Sequence, residues 1–405
     1  MATTQEKTAR ELARPPFWRD VRVLRVVGQI VAVVAVFLFL RWLFNNLVDN
    51  LNRLGISTSF DFLFGPTNFQ VPFNSEFDPR SPVWNMTLVG VKNTFLAGFF
   101  GILFASVLGL IVGVSRLSEN WLVAKLAAFY VELFRNIPPL VIIIFFGFAV
   151  FTFGPLPLFA DSWEVNLPGS GDNLLIINND RWGVPGFTRA GDLGVFFLVL
   201  GIGVIVAAFV WRWRTRIFDA TGQPHHRVLW FLGVLLGFFV VGYFATGQPF
   251  DMSWPALSEN RRRIDGGFEM NWGFISVTAG LGLYTASHIG EIIRGSILAV
   301  PHGQTEAANA LALSGFQRYR FVILPQAMRI ALPPTINQYL NLVKNTSLGI
   351  AVAYAEITAL TKTSIGNGRP AVQSILILMA VYLAFSLSIS AILNVVNRRM
   401  QLVTR

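Results

Sequence analysis

The sequence predicts an all-α integral membrane protein with about eight transmembrane helices and a short folded module on its cytoplasmic side. Three observations carry this. Hydrophobic residues make up 53% of the 405 and charged residues 13%, with a mean hydropathy of +0.55; a soluble domain of that length needs more polar surface. A hydrocarbon core takes about 20 apolar residues as a helix, and stretches near 28–47, 87–114, 128–152, 193–211, 228–246, 272–293, 337–357 and 373–396 meet that need. Lys and Arg favour alternate connections, as membrane orientation requires.

Taken in order, the N-terminal 27 residues have no small-residue cleavage site and read as a retained cytoplasmic tail before the first span. The second span carries Gly109 and Gly113, a small-xxx-small spacing that suits close helix packing. Arg135 and Asn136, just before Pro138-Pro139, read as a helix start at the inner interface. Segments 48–85, 154–192 and 247–271 are rich in Gly, Pro, Asn and Asp and read as loops with one short interfacial helix. Each is either a plain solvated connection or a landing surface for an extracytoplasmic partner. Spans 193–211 and 228–246 are almost purely apolar, which suits lipid. His288, Glu291 and Arg294 share one face near the end of the 272–293 span; an ion pair that anchors the next cytoplasmic segment is favoured there over a proton relay.

With the N-terminus inside, 19 of the 32 Lys and Arg fall in cytoplasmic segments and 9 outside, the run Arg261–Arg263 being the one clear violation. Both termini and the segment 294–334 are then cytoplasmic. The net charge of +10 lies at membrane interfaces, so nucleic acid is not the expected partner. There is no Cys, no G-x-x-x-x-G-K-[ST] loop, no metal cluster and no nucleophile–base set. The chain is expected to be neither a catalyst nor a nucleotide binder.

The segment Glu306–Pro334, EAANALALSGFQRYRFVILPQAMRIALPP, is the distinctive one. Thr305 is placed to cap a helix, with Glu306 in its first turn, where the helix dipole favours an acid. Ala307, Ala308, Ala310 and Ala312 are strong helix formers. Gly315 reads as the stop, Phe316–Ile323 as a second short helix interrupted by Pro325, and Pro333-Pro334 as the end. Two such helices are too short to stand alone in water. Locally, an amphipathic helix resting on the membrane fits as well.

Glu306-Ala307-Ala308, the small residue at Ala312 and Val322-Ile323-Leu324-Pro325 resemble the "EAA" loop of ABC-importer permeases. The family usually has Gly where this chain has Ala312, which leaves the turn either there or at Gly315. ELFRNIPPLV (Glu132–Val141), the stretches Val91–Ser118 and Leu283–Ala308, and NQYLNLVKNTSLGIAVAYAEIT (Asn337–Thr358) resemble core segments of the polar amino acid permeases of the histidine/glutamine type, and the added helices resemble the first permease subunit of general L-amino-acid import systems. The resemblance implies a five-helix permease core in 86–152 and 272–405 with a coupling loop at 303–334. The segment 1–85 would hold the tail, an extra helix and a periplasmic stretch, and 153–271 an insertion. It implies a bacterial inner-membrane location, no cofactor on this chain, and ATP and Mg on a partner ABC ATPase dimer docked at Glu306, Ala307, Ala308, Ala312, Gly315, Arg318 and Pro325. It also implies a related second permease and a periplasmic amino-acid-binding protein.

Polar side chains inside a span usually face protein or water. Gln338, Asn341 and Asn345 fall on one helix face, with Lys344 and Thr346 beside them. Amides both donate and accept, so this face suits an amino acid zwitterion, with Lys344 drawn to its carboxylate. Helix–helix hydrogen bonding would use the same residues. Relatives that carry cationic amino acids often have acids at the places of Gln338 and Asn345, so a neutral or broad substrate range is implied. An ion- or proton-coupled secondary transporter is the alternative; paired repeats and midplane charges would favour it, and only Glu356 is a candidate.

Overall fold

The structure, a computed structural model, describes residues 18–55, 58–74, 77–222, 226–261 and 263–400. Lys7, Arg10, Arg14, Arg262 and Arg405 from the charge count lie outside the described residues. Twelve helices are found among the described residues: α1 (Val21–Arg53), α2 (Val83–Ser115), α3 (Trp121–Asn136), α4 (Pro139–Ile144, prolonged by a π-helical stretch to Thr152), α5 (Leu193–Thr221), α6 (Arg227–Ala245), α7 (Trp272–Leu298), α8 (His302–Ala310), α9 (Gly315–Arg318), α10 (Leu324–Asn345), α11 (Ile357–Gly366) and α12 (Ala371–Met400).

The chain is mostly helical, as expected, but not every expected span is one helix. Five helices (α1, α2, α5, α6 and α12) are long and apolar enough to cross a membrane. The 128–152 stretch is two helices, α3 and α4, bent by 104°. Arg135 and Asn136 therefore close α3 instead of starting a helix, because Pro138 and Pro139 cannot continue it and are well placed to begin another. The 337–357 stretch is helical only to Asn345. It then tightens into a 3₁₀ segment, Thr346–Val352, that ends at Ala353 in the left-handed region, φ +55°.

The core forms where α2 and α7 lie against each other. A Cβ added at Gly109 would stand 2.7 Å from Ile289 Cγ2, and one at Gly113 would stand 2.8 Å from the Gly290 carbonyl oxygen. The Gly109/Gly113 spacing is thus a packing device: without side chains the two backbones meet, and dispersion acts over the whole contact. Larger residues fill the other gaps, Ile143 against Gly280, Val343 against Gly98 and Leu342 against Gly101. α7 is the central helix, with Val277, Leu281 and Ala286 at most 1% exposed. Its Ser, Thr, His and Glu side chains fit that central place. α5 and α6 pack mainly on each other, around Gly203 and Gly242.

The segments read as loops form small sheets. β1 (Trp163–Asn166), β2 (Asn173–Ile177) and β3 (Arg181–Val184) make an antiparallel sheet that β8 (Phe268–Asn271) completes. β4 (Gly186–Arg189) pairs with β5 (Phe250–Ser253), and β6 (Ala256–Leu257) with β7 (Ile264–Asp265). These strands have two to five residues, too few for an alternating pattern to show among turn residues. The pair that closes the larger sheet, Arg181 with Asn271, spans the inserted helices. Among the described residues, the only short helix between 154 and 192 is a single 3₁₀ turn, Phe159–Asp161.

This sheet sits on the start of α7. Trp272 N–H donates to the Asp180 carbonyl at 2.9 Å, and the Asn271 side chain caps the helix by accepting from Phe274 N–H at 2.8 Å. Arg181 joins Asp180 and Glu269 at 2.6 and 2.7 Å. Burial raises the Glu269 carboxyl above its ordinary range, although the Arg181 guanidinium pulls it down. A cleft of about 550 Å³ opens between this sheet and the 70–74 loop, and a second of about 200 Å³ shares Phe73, Asn74 and Asn271 with it and reaches Lys92, Asn93 and Tyr354.

Candidate functional site

α8 and α9 form an exposed angle between the two helices that cross the core, α7 and α10. α8 begins after Pro301, whose fixed φ suits a helix start; Thr305 is inside the helix and does not cap it. Glu306 is exposed and meets His302 Nδ1 at 3.1 Å. Ala307 is exposed, and Ala308 is 2% exposed, turned back onto the chain.

The turn falls at Ala312, not at Gly315. Ala312 has φ +52°. Its N–H donates to the Asn309 carbonyl at 2.9 Å, and Leu313 N–H donates to the Ala308 carbonyl at 3.1 Å. This is the Schellman pair of bonds that closes many helices, with Ala in the place usually taken by Gly. The local geometry at the position where the EAA pattern has Gly is therefore kept, at the cost of a strained alanine. Gly315 starts the next helix. Ser314 caps it, accepting from Gln317 N–H at 3.3 Å while Gln317 Oε1 accepts from Ser314 N–H at 2.9 Å. A Cβ at Gly315 would meet nothing within 4 Å.

Two bonds hold the angle. Arg318 Nη1 donates to Asn309 Oδ1 at 2.8 Å, joining the two short helices, and Gln326 Nε2 donates to Gln304 Oε1 at 3.1 Å, joining α8 to α10. Leu311 (75%), Phe316 (71%) and Phe321 (62%) are exposed.

The prolines do not stop the second piece. After α9 the chain passes through one π-helical turn, Tyr319–Ile323, straight into α10. Pro325 stands in the first turn of α10, and Pro333 and Pro334 lie inside it. A π turn shifts the bonding register, so the missing Pro325 N–H costs little there. Pro333 and Pro334 take donors from the carbonyls of Arg329 and Ile330, which membrane helices tolerate where other groups compensate.

Gln338, Asn341 and Asn345 come to one side of α10 with Lys344 beside them, and Ile336 and Val343 lie opposite, packed into the core. Among the described residues none of these four side chains makes a hydrogen bond, so helix–helix bonding within this chain does not use them. Thr346 is not on that side. It is fully buried, its hydroxyl donating to the Val343 carbonyl at 2.7 Å.

Just beyond, the chain turns back at a network that sequence reading saw only in part. Glu356 is fully buried and caps α11, its carboxylate accepting from Thr358 N–H at 2.8 Å, Ala359 N–H at 2.7 Å and the Tyr382 hydroxyl at 2.9 Å. Asn93 Nδ2 donates to the Ala355 carbonyl at 2.8 Å, and the Tyr354 hydroxyl donates to the Asn93 carbonyl at 2.8 Å. Ile357 N–H donates to Thr94 Oγ1 at 3.2 Å. Asn93 and Thr94, a polar pair within an apolar run, were the signal for this contact.

At the other end, Glu291 joins Arg294 at 2.6 Å and also the Arg116 guanidinium at the end of α2. The ion pair expected of Glu291 and Arg294 is present within α7, and the Arg116–Glu291 contact clamps α7 to the end of α2. His288 takes no part: its Nδ1 faces the Tyr284 carbonyl at 3.1 Å.

Comparison with known proteins places this geometry. The family described as binding-protein-dependent transport system inner membrane component matches residues 105–402. The chain is 35% identical over 387 residues to the general L-amino acid transport system permease protein AapQ of Rhizobium johnstonii, covering 95% of this chain and 94% of that one. It is 36% identical to the amino-acid ABC transporter permease protein YhdX of Escherichia coli, covering 93% and 94%. It is 32% identical to the glutamate/glutamine/aspartate/asparagine transport system permease protein BztB of Rhodobacter capsulatus, covering 95% and 96%.

Proposed function

We propose how this chain works from what it is: it belongs to the family of binding-protein-dependent inner membrane transport components, and it is a permease subunit of an ABC-type amino acid importer. In this reading an ATPase dimer binds ATP and Mg and receives the α8–α9 angle in a cleft. Glu306, Ala307 and Ala312 face that partner together with Gly315 and Arg318, while Ala308 and Pro325 set the angle. Both termini and the angle lie on the cytoplasmic side, and the sheets with their cleft lie on the periplasmic side, where an amino-acid-binding protein delivers substrate. A second, related permease subunit completes the pathway against the amide side of α10. Gln338, Asn341, Lys344 and Asn345 meet the zwitterion there, and Thr346 supports the turn behind them. The neutral amides favour a broad or neutral range of L-amino acids.

The observation that carries the coupling reading is the angle itself. Two helices too short to stand alone, with the turns that follow them, leave Leu311, Phe316 and Phe321 exposed. A surface of that kind asks for a partner. The test is purification of the chain from cells that express its neighbouring genes. An ABC ATPase is expected to copurify with the wild type and to be lost with Glu306→Lys. Full retention of the ATPase by that variant, or uptake that survives ATP depletion, would overturn the reading.

A further inference from the structure

The inserted hairpin α5–α6 ends in a cluster that transport does not call on. Over Trp211–Arg216 the chain runs WRWRTR, and α6 opens opposite with Arg227, Trp230 and Phe231. The Arg214 guanidinium lies 4.4 Å over the Trp230 ring and 5.4 Å over Trp213. Arg227 lies 5.5 Å over Trp211, and the Trp211 and Phe231 rings meet edge to face at 5.8 Å. These contacts set guanidinium groups firmly on aromatic rings.

Beside them is a cleft of about 450 Å³ lined by Ala208, Trp211, Arg212 and Phe231. Its walls are apolar, with one guanidinium at the rim. Arg212 and Arg216 are exposed, and among the described residues neither they nor Arg227 form an ion pair. One acid, Asp219, stands among four arginines in this part of the chain. From Leu193 to Val210 α5 carries no charge, so the cluster sits where a span ends. Trp and Arg at that depth meet lipid headgroups.

We propose that this cluster is a binding site for an anionic phospholipid, with the headgroup phosphate on Arg212 and Arg216 and an acyl chain along Trp211 and Phe231. Arginine suits the phosphate because its fork of donors matches two oxygens at once. A free anion would have no use for the apolar wall. This site does not depend on the coupling or pathway readings.

The test uses the full chain purified with its copurifying subunits, delipidated, and titrated with phosphatidylglycerol or phosphatidylcholine under native mass spectrometry. Phosphatidylglycerol is expected to bind in preference. Arg212→Gln with Arg216→Gln should weaken it about 25-fold, about five-fold for each arginine at a lipid surface. Equal binding of the two lipids, unchanged binding by the double variant, or complete displacement by millimolar inorganic phosphate would overturn the proposal. If the double Gln variant does not purify, Arg212→Gln alone should weaken phosphatidylglycerol about five-fold, and unchanged binding there overturns the proposal as well.

Discussion

Replacing Ala312 by Gly should tighten the α8–α9 turn. Ala312 holds φ +52° inside a complete Schellman pair of bonds. An L-residue pays about 1–2 kcal/mol for that conformation, and Gly pays almost none. Gly also loosens the unfolded chain, which returns about 0.5–1 kcal/mol. The net gain is about 0.5–1 kcal/mol, or a two- to five-fold fall in the opening equilibrium of the turn. Hydrogen exchange reads this locally: the Ala312-position and Leu313 amides, both donors in the motif, should exchange two- to five-fold more slowly in Ala312→Gly. Ala312→Val should exchange faster, since a β-branched side chain fits the left-handed region worse. Unchanged or faster exchange in the Gly variant would mean that the turn is not strained, and the reasoning from φ would fail. A loss of ATPase coupling in a tighter turn would show that the strain itself is used.

Three further outcomes rest on the packing. Gly113→Ala and Gly28→Ala make the same change in two helices, but Gly113 would drive a Cβ to 2.8 Å from the Gly290 carbonyl oxygen while Gly28 has nothing within 4 Å. Thermal unfolding in detergent should leave Gly28→Ala unharmed and show Gly113→Ala destabilised by about 1–3 kcal/mol; equal stabilities would contradict the α2–α7 contact. Glu356→Gln puts a donor where the carboxylate accepts three bonds, so it should cost about 1–3 kcal/mol in the same assay, and a neutral result would mean that the cap is dispensable. Gln338→Leu with Asn345→Leu should cut uptake of at least one amino acid about ten-fold or more, and wild-type uptake of every amino acid tested would remove the amide side of α10 from the pathway.

The class of the protein was legible because composition and span length are collective signals. The Gly109/Gly113 spacing was legible because close helix contact has few other solutions. The turn at Ala312 was not legible from its residues, since alanine bears no mark of a left-handed backbone and Gly315 three residues on offered a false one; only the resemblance kept Ala312 open. Pro325, Pro333 and Pro334 misled for a related reason. Rules learned in water treat proline as a stop, but a π turn and the membrane context let α10 run through all three. The strands escaped notice because they are two to five residues long, and two of the pairings, β3 with β8 and β4 with β5, lie across the inserted hairpin. Glu356 was visible as an acid; two of its donors are the local amides of the helix it caps, and only the third, the Tyr382 hydroxyl, is set by tertiary structure.

The way the short helices are attached bears on how the proposed coupling would act. α7 reaches α8 through Ala299–Pro301, a short link with Pro301 at its end, and α7 itself is held to α2 by bare glycine contacts and by the Arg116–Glu291–Arg294 group. On the other side α9 runs into α10 without a break in helical structure. The angle is therefore joined to α7 by a short turn and to α10 by continuous helix. α10 carries the amide side and ends, one 3₁₀ segment later, at the turn fixed by Glu356, Asn93 and Thr94. Motion of the docking surface would thus pass along α10 to Gln338, Asn341 and Asn345 and, through Leu342 on Gly101 and Val343 on Gly98, into α2 as well. The chain is a short turn on the α7 side and continuous helix on the α10 side, and that continuity joins the proposed docking surface to the amide side of α10.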